Sequence, residues 1–73
     1  METVNGIKLS NLKKGSKGQE VRLLQTLLNA CGYSCGTVDG IFGSKTEKSV
    51  LAFTNYKSNA VNIEVWYSLC NKV

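Results

Sequence analysis

Gly36-Thr37-Val38-Asp39-Gly40-Ile41-Phe42-Gly43-Ser44-Lys45-Thr46-Glu47 carries the densest local signals in the chain. Asp39-Gly40 is a turn dipeptide. The Asp carboxylate accepts from backbone N–H groups just ahead of it, and Gly40 takes a positive φ without a Cβ clash. Gly43 makes a second bend. Ser44 and Glu47 stand in S-x-x-E register, the capping box of a helix start. Val38, Ile41 and Phe42 are apolar within the turn, which predicts that all three pin it to a core. The stretch therefore reads as a tight corner that feeds a helix.

Upstream, Ser16 and Gln19 repeat the capping-box spacing. Val21, Leu24, Leu28 and Cys31 then fall at i, i+3, i+7 and i+10, with Leu27 widening the stripe. This predicts a first helix over 17–31, stopped by Gly32 in a left-handed conformation. Residues 32–43 are its loop. Downstream, Thr46, Val50, Leu51 and Phe53 give a second stripe, and the helix is expected from Lys45 to Tyr56 or Lys57. Gly15-Ser16-Lys17 and Gly43-Ser44-Lys45 are one tripeptide placed before two helices, read as shared capping grammar. Asn62 can cap a last helix over 63–71, with Ile63, Trp66, Leu69 and Cys70 inward and Trp66 at the centre. Short links predict an all-α, small three-helix bundle with a Gly-rich loop between helices one and two. Residues 1–11 read as an N-terminal tail or linker and 12–73 as the domain. Ile7 and Leu9 either form a short extended segment on the domain or belong to a disordered end.

The chain has 73 residues, enough for one domain, and a core this size contributes only about 3–5 kcal/mol net. No run reaches the roughly 18 apolar residues of a membrane span. The first residues carry no signal-peptide apolar core, so export by such a signal is not expected. Net charge is +4, with nine basic residues against five acidic. This favours anionic partners, although a solvated face gives the same excess. Three cysteines, Cys31, Cys35 and Cys70, read as small hydrophobes; the alternative is a bridge between Cys70 and one of the others. Three thiols without histidine do not complete a zinc site.

Catalysis is not expected. Histidine is absent, which removes triads and imidazole acid–base chemistry. The five acids are scattered, and no phosphate-binding loop or nucleophile elbow occurs. Three helices and a basic balance would also suit a small DNA-binding protein. However, the twelve-residue connection at 32–43 far exceeds the usual three or four of a helix-turn-helix.

Leu12-Lys13-Lys14-Gly15-Ser16-Lys17-Gly18-Gln19-Glu20-Val21-Arg22-Leu23-Leu24-Gln25, Gly32-Tyr33, Val38-Asp39-Gly40-Ile41-Phe42-Gly43 with Thr46, and Val50 with Phe53 together resemble the small three-helix peptidoglycan-binding domain of bacterial and phage cell-wall hydrolases. The resemblance spans residues 12–70 and is carried mainly by those up to Phe53. It implies a non-catalytic module, without cofactor or metal, that targets an attached or associated lytic enzyme to bacterial peptidoglycan. Its place would be the cell wall or the extracellular space, with a phage-encoded protein released at lysis as one source. A monomer is expected, with no nucleic-acid partner. The last third departs from the family: Asn59-Ala60-Val61-Asn62-Ile63-Glu64-Val65-Trp66 stands where a second Asp-Gly loop is common. That departure motivates an alternative, a scaffold or protein-interaction module of the same fold that has lost wall binding.

A receptor for such a polymer needs an aromatic face, neutral donors and acceptors, and some positive charge. The ligand-binding candidates are Tyr33, Thr37, Lys45, Thr46, Lys48, Asn55, Tyr56 and Lys57. Structural readings compete. Tyr33 could cover the helix stop, Thr46 could pack beneath the loop, and Tyr56 could flank the last helix. Asp39, Gly40, Phe42 and Gly43 are read as the loop's architecture.

Overall fold

The computed structural model describes residues 3–4, 7–8 and 11–72. Three helices carry the fold: α1 (Gln19–Ala30), α2 (Ser44–Phe53) and α3 (Ile63–Lys72). Two-residue strands, β1 (Thr3–Val4) and β2 (Ile7–Lys8), pair antiparallel ahead of them, Val4 opposite Ile7. The expected segment at Ile7 is therefore extended, whereas Leu9 lies outside the described residues. Among the described residues the bundle is all-α apart from this ribbon and two isolated bridges, Leu12 with Val61 and Lys17 with Ile41.

The apolar stripe of α1 packs as its spacing requires. Val21, Leu24 and Leu28 are buried, and Leu23, Leu27 and Cys31 pack against them half-buried. Phe42 and Val50 arrive from the loop and α2, Val65, Trp66 and Leu69 from α3. Trp66 is the largest fully buried side chain. In α3, Cys70 follows Leu69 by about 100° of rotation and faces out, while Val65 takes the inward place expected of it. The three cysteines are free thiols.

Neither predicted capping box forms. The first helix begins two residues late because residues 16–18 are engaged elsewhere. Phe42 N–H donates to the Ser16 carbonyl (2.9 Å) and Gly18 N–H to the Gly40 carbonyl (3.0 Å). Ser16 Oγ accepts from Lys13 N–H at 3.1 Å and so closes the preceding turn. At α2, Gly43 is the N-cap and Ser44 is already helical. The two Gly-Ser-Lys tripeptides thus play different parts, Gly15 lying in a turn before an extended segment. Asn62, by contrast, caps α3 as expected, its Oδ1 accepting from Val65 N–H at 3.0 Å.

Both α1 and α2 end in the same motif. Gly32 has φ 89, its N–H donates to Asn29 O (3.1 Å), and Tyr33 N–H donates to Leu28 O (2.9 Å). This is the Schellman pattern predicted for that glycine. In α2 the left-handed residue is Asn55 (φ 58), whose N–H donates to Ala52 O (3.2 Å) as Tyr56 N–H does to Leu51 O (2.6 Å). Asparagine tolerates that conformation, so α2 stops at Phe53, three to four residues short of expectation. The Thr54 hydroxyl secures the stop. It lies 2.9 Å from both the Val50 and the Ser58 carbonyl and accepts from Ser58 N–H (3.2 Å).

Candidate ligand-binding groove

The loop between α1 and α2 hangs on one buried side chain. Gln25 is 1% exposed. Its Oε1 accepts from the N–H groups of Asp39 (3.1 Å) and Gly40 (3.0 Å). Its Nε2 donates toward Asp39 Oδ1 (3.0 Å), the Ile41 carbonyl (3.1 Å) and the Thr46 hydroxyl (3.1 Å). Two N–H bonds serve three acceptors, so at least one bond is shared. Asp39 Oδ1 also accepts from Ile41 N–H at 2.9 Å, the Asx turn that the dipeptide predicts. The Gln25 amide and the Ile41 N–H hold the Asp39 carboxyl below the usual aspartate range. Gly40 has φ 77, and a Cβ there would lie 3.2 Å from two Arg22 atoms and 3.3 Å from Gly18 O. Phe42 is buried, but Ile41 is 49% exposed and Val38 is exposed too. One apolar side chain pins the corner, where three were expected.

A second clamp shapes residues 33–36. Asn29 Oδ1 accepts from Cys35 N–H (2.9 Å), and its Nδ2 donates to Gly36 O (3.2 Å). Ser49 Oγ lies 2.8 Å from the Ser34 carbonyl and 3.1 Å from the Lys45 carbonyl, joining this segment to α2. The buried Cys35 thiol lies 3.5 Å from both Gln25 O and Asn29 Oδ1. Burial, with a smaller push from the Asp39 charge, raises its pKa, so it serves as a neutral donor and a poor nucleophile.

Between that segment and α2 runs an open groove of about 510 Å³, lined by residues 32–36 together with Lys45, Lys48, Ser49 and Ala52. Tyr33 is half-buried, and its ring meets Phe53 edge to face, centroids 5.3 Å apart. Lys45 lies across Gly36: a Cβ there would meet its Cδ at 3.5 Å. Lys45 also lines a smaller adjoining groove of about 270 Å³ with Thr37 and Asp39. No acidic residue lines the larger groove.

The predicted site residues therefore divide. Tyr33, Lys45 and Lys48 meet in one groove, and Thr37 is next door through Lys45. Thr46 is buried, accepting the Gln25 amide beneath the loop. Asn55 and Tyr56 are exposed at the end of α2, and Lys57 lines a separate hollow with Phe53 and Val65. Sequence reasoning assigned no role to Gln25, Asn29, Ser34 or Ser49. Gln25 left a signal: it stands four residues after Val21 and three before Leu28, a polar side chain on the apolar face of α1. A buried polar group must find partners.

The fold is shared with the N-terminal domain of SleB, known from a crystal structure. The TM-score is 0.82 at 24% identity, over 88% of this chain and 93% of that one. The sequence profile of the family described as "Putative peptidoglycan binding domain" matches residues 17–55, more than half of the chain. That span contains α1, the Gln25-hung loop, the groove and α2. This chain belongs to the peptidoglycan-binding domain family.

Proposed function

We propose that residues 12–73 form a non-catalytic module that binds bacterial peptidoglycan in the groove between residues 32–36 and α2. It acts as a monomer on the cell wall and there holds a lytic enzyme, in the same chain or associated with it. Tethering contributes through effective concentration: a catalytic partner held beside its polymer meets substrate continually. The observation that carries this reading is the groove's lining. Tyr33, braced by Phe53, offers a ring for a sugar face or acyl group, and Lys45 and Lys48 offer charge to stem-peptide carboxylates. Its volume lies within the range of small-molecule sites, enough for a short stretch of polymer.

Pelleting with insoluble peptidoglycan tests the proposal. The chain should co-sediment at about 0.5 M salt, where contacts between distant charges are screened. Tyr33→Ala, with its helical circular dichroism retained, should bind about three- to ten-fold more weakly, the worth of an aromatic contact. Unchanged binding by that variant would move the site away from the groove. One feature favours a scaffold role instead. The connection before α3 has no glycine and is closed by its own Thr54 and Ser58 bonds. A folded chain that does not pellet supports that second reading, and a salt-sensitive shift of duplex DNA would support nucleic-acid binding.

A further inference from the structure

Among the described residues, the larger groove is lined by two cations and no acid. Lys45 and Lys48 are exposed, three residues apart on α2, and neighbours on one helix face. Among the described residues, neither ammonium has a hydrogen-bond or ion-pair partner. The nearest carboxylate on the loop, Asp39, lines the adjoining groove, and there it is occupied by Gln25 and the Ile41 N–H. Both lysines also stand in the first half of α2, where the helix dipole disfavours positive charge. Local stability does not explain their presence there.

The wall around them is stiff. Ser49 fastens the Ser34 carbonyl to α2, Asn29 fixes residues 35 and 36, and Phe53 backs Tyr33. A rigid, largely apolar groove that carries two lysines suits a small anion attached to a less polar chain. A free carboxylate at the end of a short peptide has those properties.

We infer that Lys45 and Lys48 read an ionised stem-peptide carboxylate, so that the groove discriminates peptidoglycan with free carboxyl groups from peptidoglycan in which they are amidated. This rests on the wall-binding reading and adds to it the group that is recognised. An amide is neutral and exchanges one of the two acceptor oxygens for an N–H donor, which ammonium groups, able only to donate, cannot use. Each exposed charge contact is worth roughly a two- to five-fold change in affinity, so amidation that removes both should weaken binding about ten-fold.

The test uses insoluble peptidoglycan stripped of anionic wall polymers, half of it amidated chemically with ammonia and a carbodiimide. The wild-type chain should pellet with the untreated material and about ten-fold more weakly with the amidated. K45Q/K48Q should bind both alike, at the weaker level. Equal wild-type binding to both would overturn the inference while leaving wall binding intact. Pelleting that needs the stripped polymers would overturn it too, with phosphate as the anion. No pelleting with either material, by a chain that remains folded, would remove the wall-binding reading and this inference together.

Discussion

Gln25 puts both ends of its amide into one loop, and at this scale the corner is a hydrogen-bond problem more than an apolar one. The acceptor end faces two backbone N–H groups and the donor end faces a carboxylate, a carbonyl and a hydroxyl. The amide therefore has only one orientation that satisfies both ends. Gln25→Ala leaves the Asp39 and Gly40 N–H groups beneath the loop without their acceptor. An unmet buried donor costs about 1–3 kcal/mol, so this substitution should lower unfolding free energy by about 2–4 kcal/mol in a urea titration. A loss under about 1 kcal/mol would mean that water or the backbone replaces the amide. The sequence displayed Asp39-Gly40 and the buried register of Gln25, but not that the two meet. Their partnership spans fourteen residues, and no local rule connects positions so far apart.

The helix ends mark where local chemistry was decisive and where it was overruled. Gly32 and Asn62 act as their residue types predict, because each needs only its own turn. Ser16 does not, because residues 15–18 pair with 40–42, and Ser44 does not, because Gly43 takes the cap and Ser44 is already helical. A helix start can be legible as a motif and still lose to a bridge formed with a distant strand-like segment. The end of α2 holds a further oddity: Asn55 at φ 58 is followed by Tyr56 at φ 63. A non-glycine residue in that region costs roughly 1–2 kcal/mol, and Tyr56 is 76% exposed, so packing does not repay it. Tyr56→Gly should therefore raise stability by about 0.5–1 kcal/mol, after the extra freedom glycine brings to the unfolded chain. A thermal melt checks this; a lower Tm would show that the tyrosine ring makes stabilising contacts.

For the molecule as a whole, one core couples the ends of the chain to its middle. Leu12 and Val61 exchange two backbone hydrogen bonds, 2.9 and 2.7 Å, and both side chains are buried. Trp66 completes the same core. Truncating such a residue to alanine costs about 3–5 kcal/mol, which matches the roughly 3–5 kcal/mol available to a domain of this size. Trp66→Ala should consequently be largely unfolded in water at 25 °C, with collapsed amide dispersion in its NMR spectrum. A cooperative melt retained well above that temperature would show a larger stability reserve. Catalytic machinery is hard to accommodate in such a core, since a deep cleft would remove what holds it together.

The three amphipathic helices, the Gly32 stop, the Asn62 cap, the central tryptophan and the family are all legible in the residues alone. The helices, stop, cap and tryptophan are each written in residues close enough to interact through a single turn or a single face, and the family in the order of those motifs along the chain. Tertiary structure alone decided that Tyr33, Lys45 and Lys48 share a groove while Asn55, Tyr56 and Lys57 lie outside it. It also decided that Thr46 turns inward. A groove is made by two segments that approach after the chain has folded. Which side chains line it depends on the angle of that approach, here set by Gln25, Asn29 and Ser49 through bonds that reach across the loop.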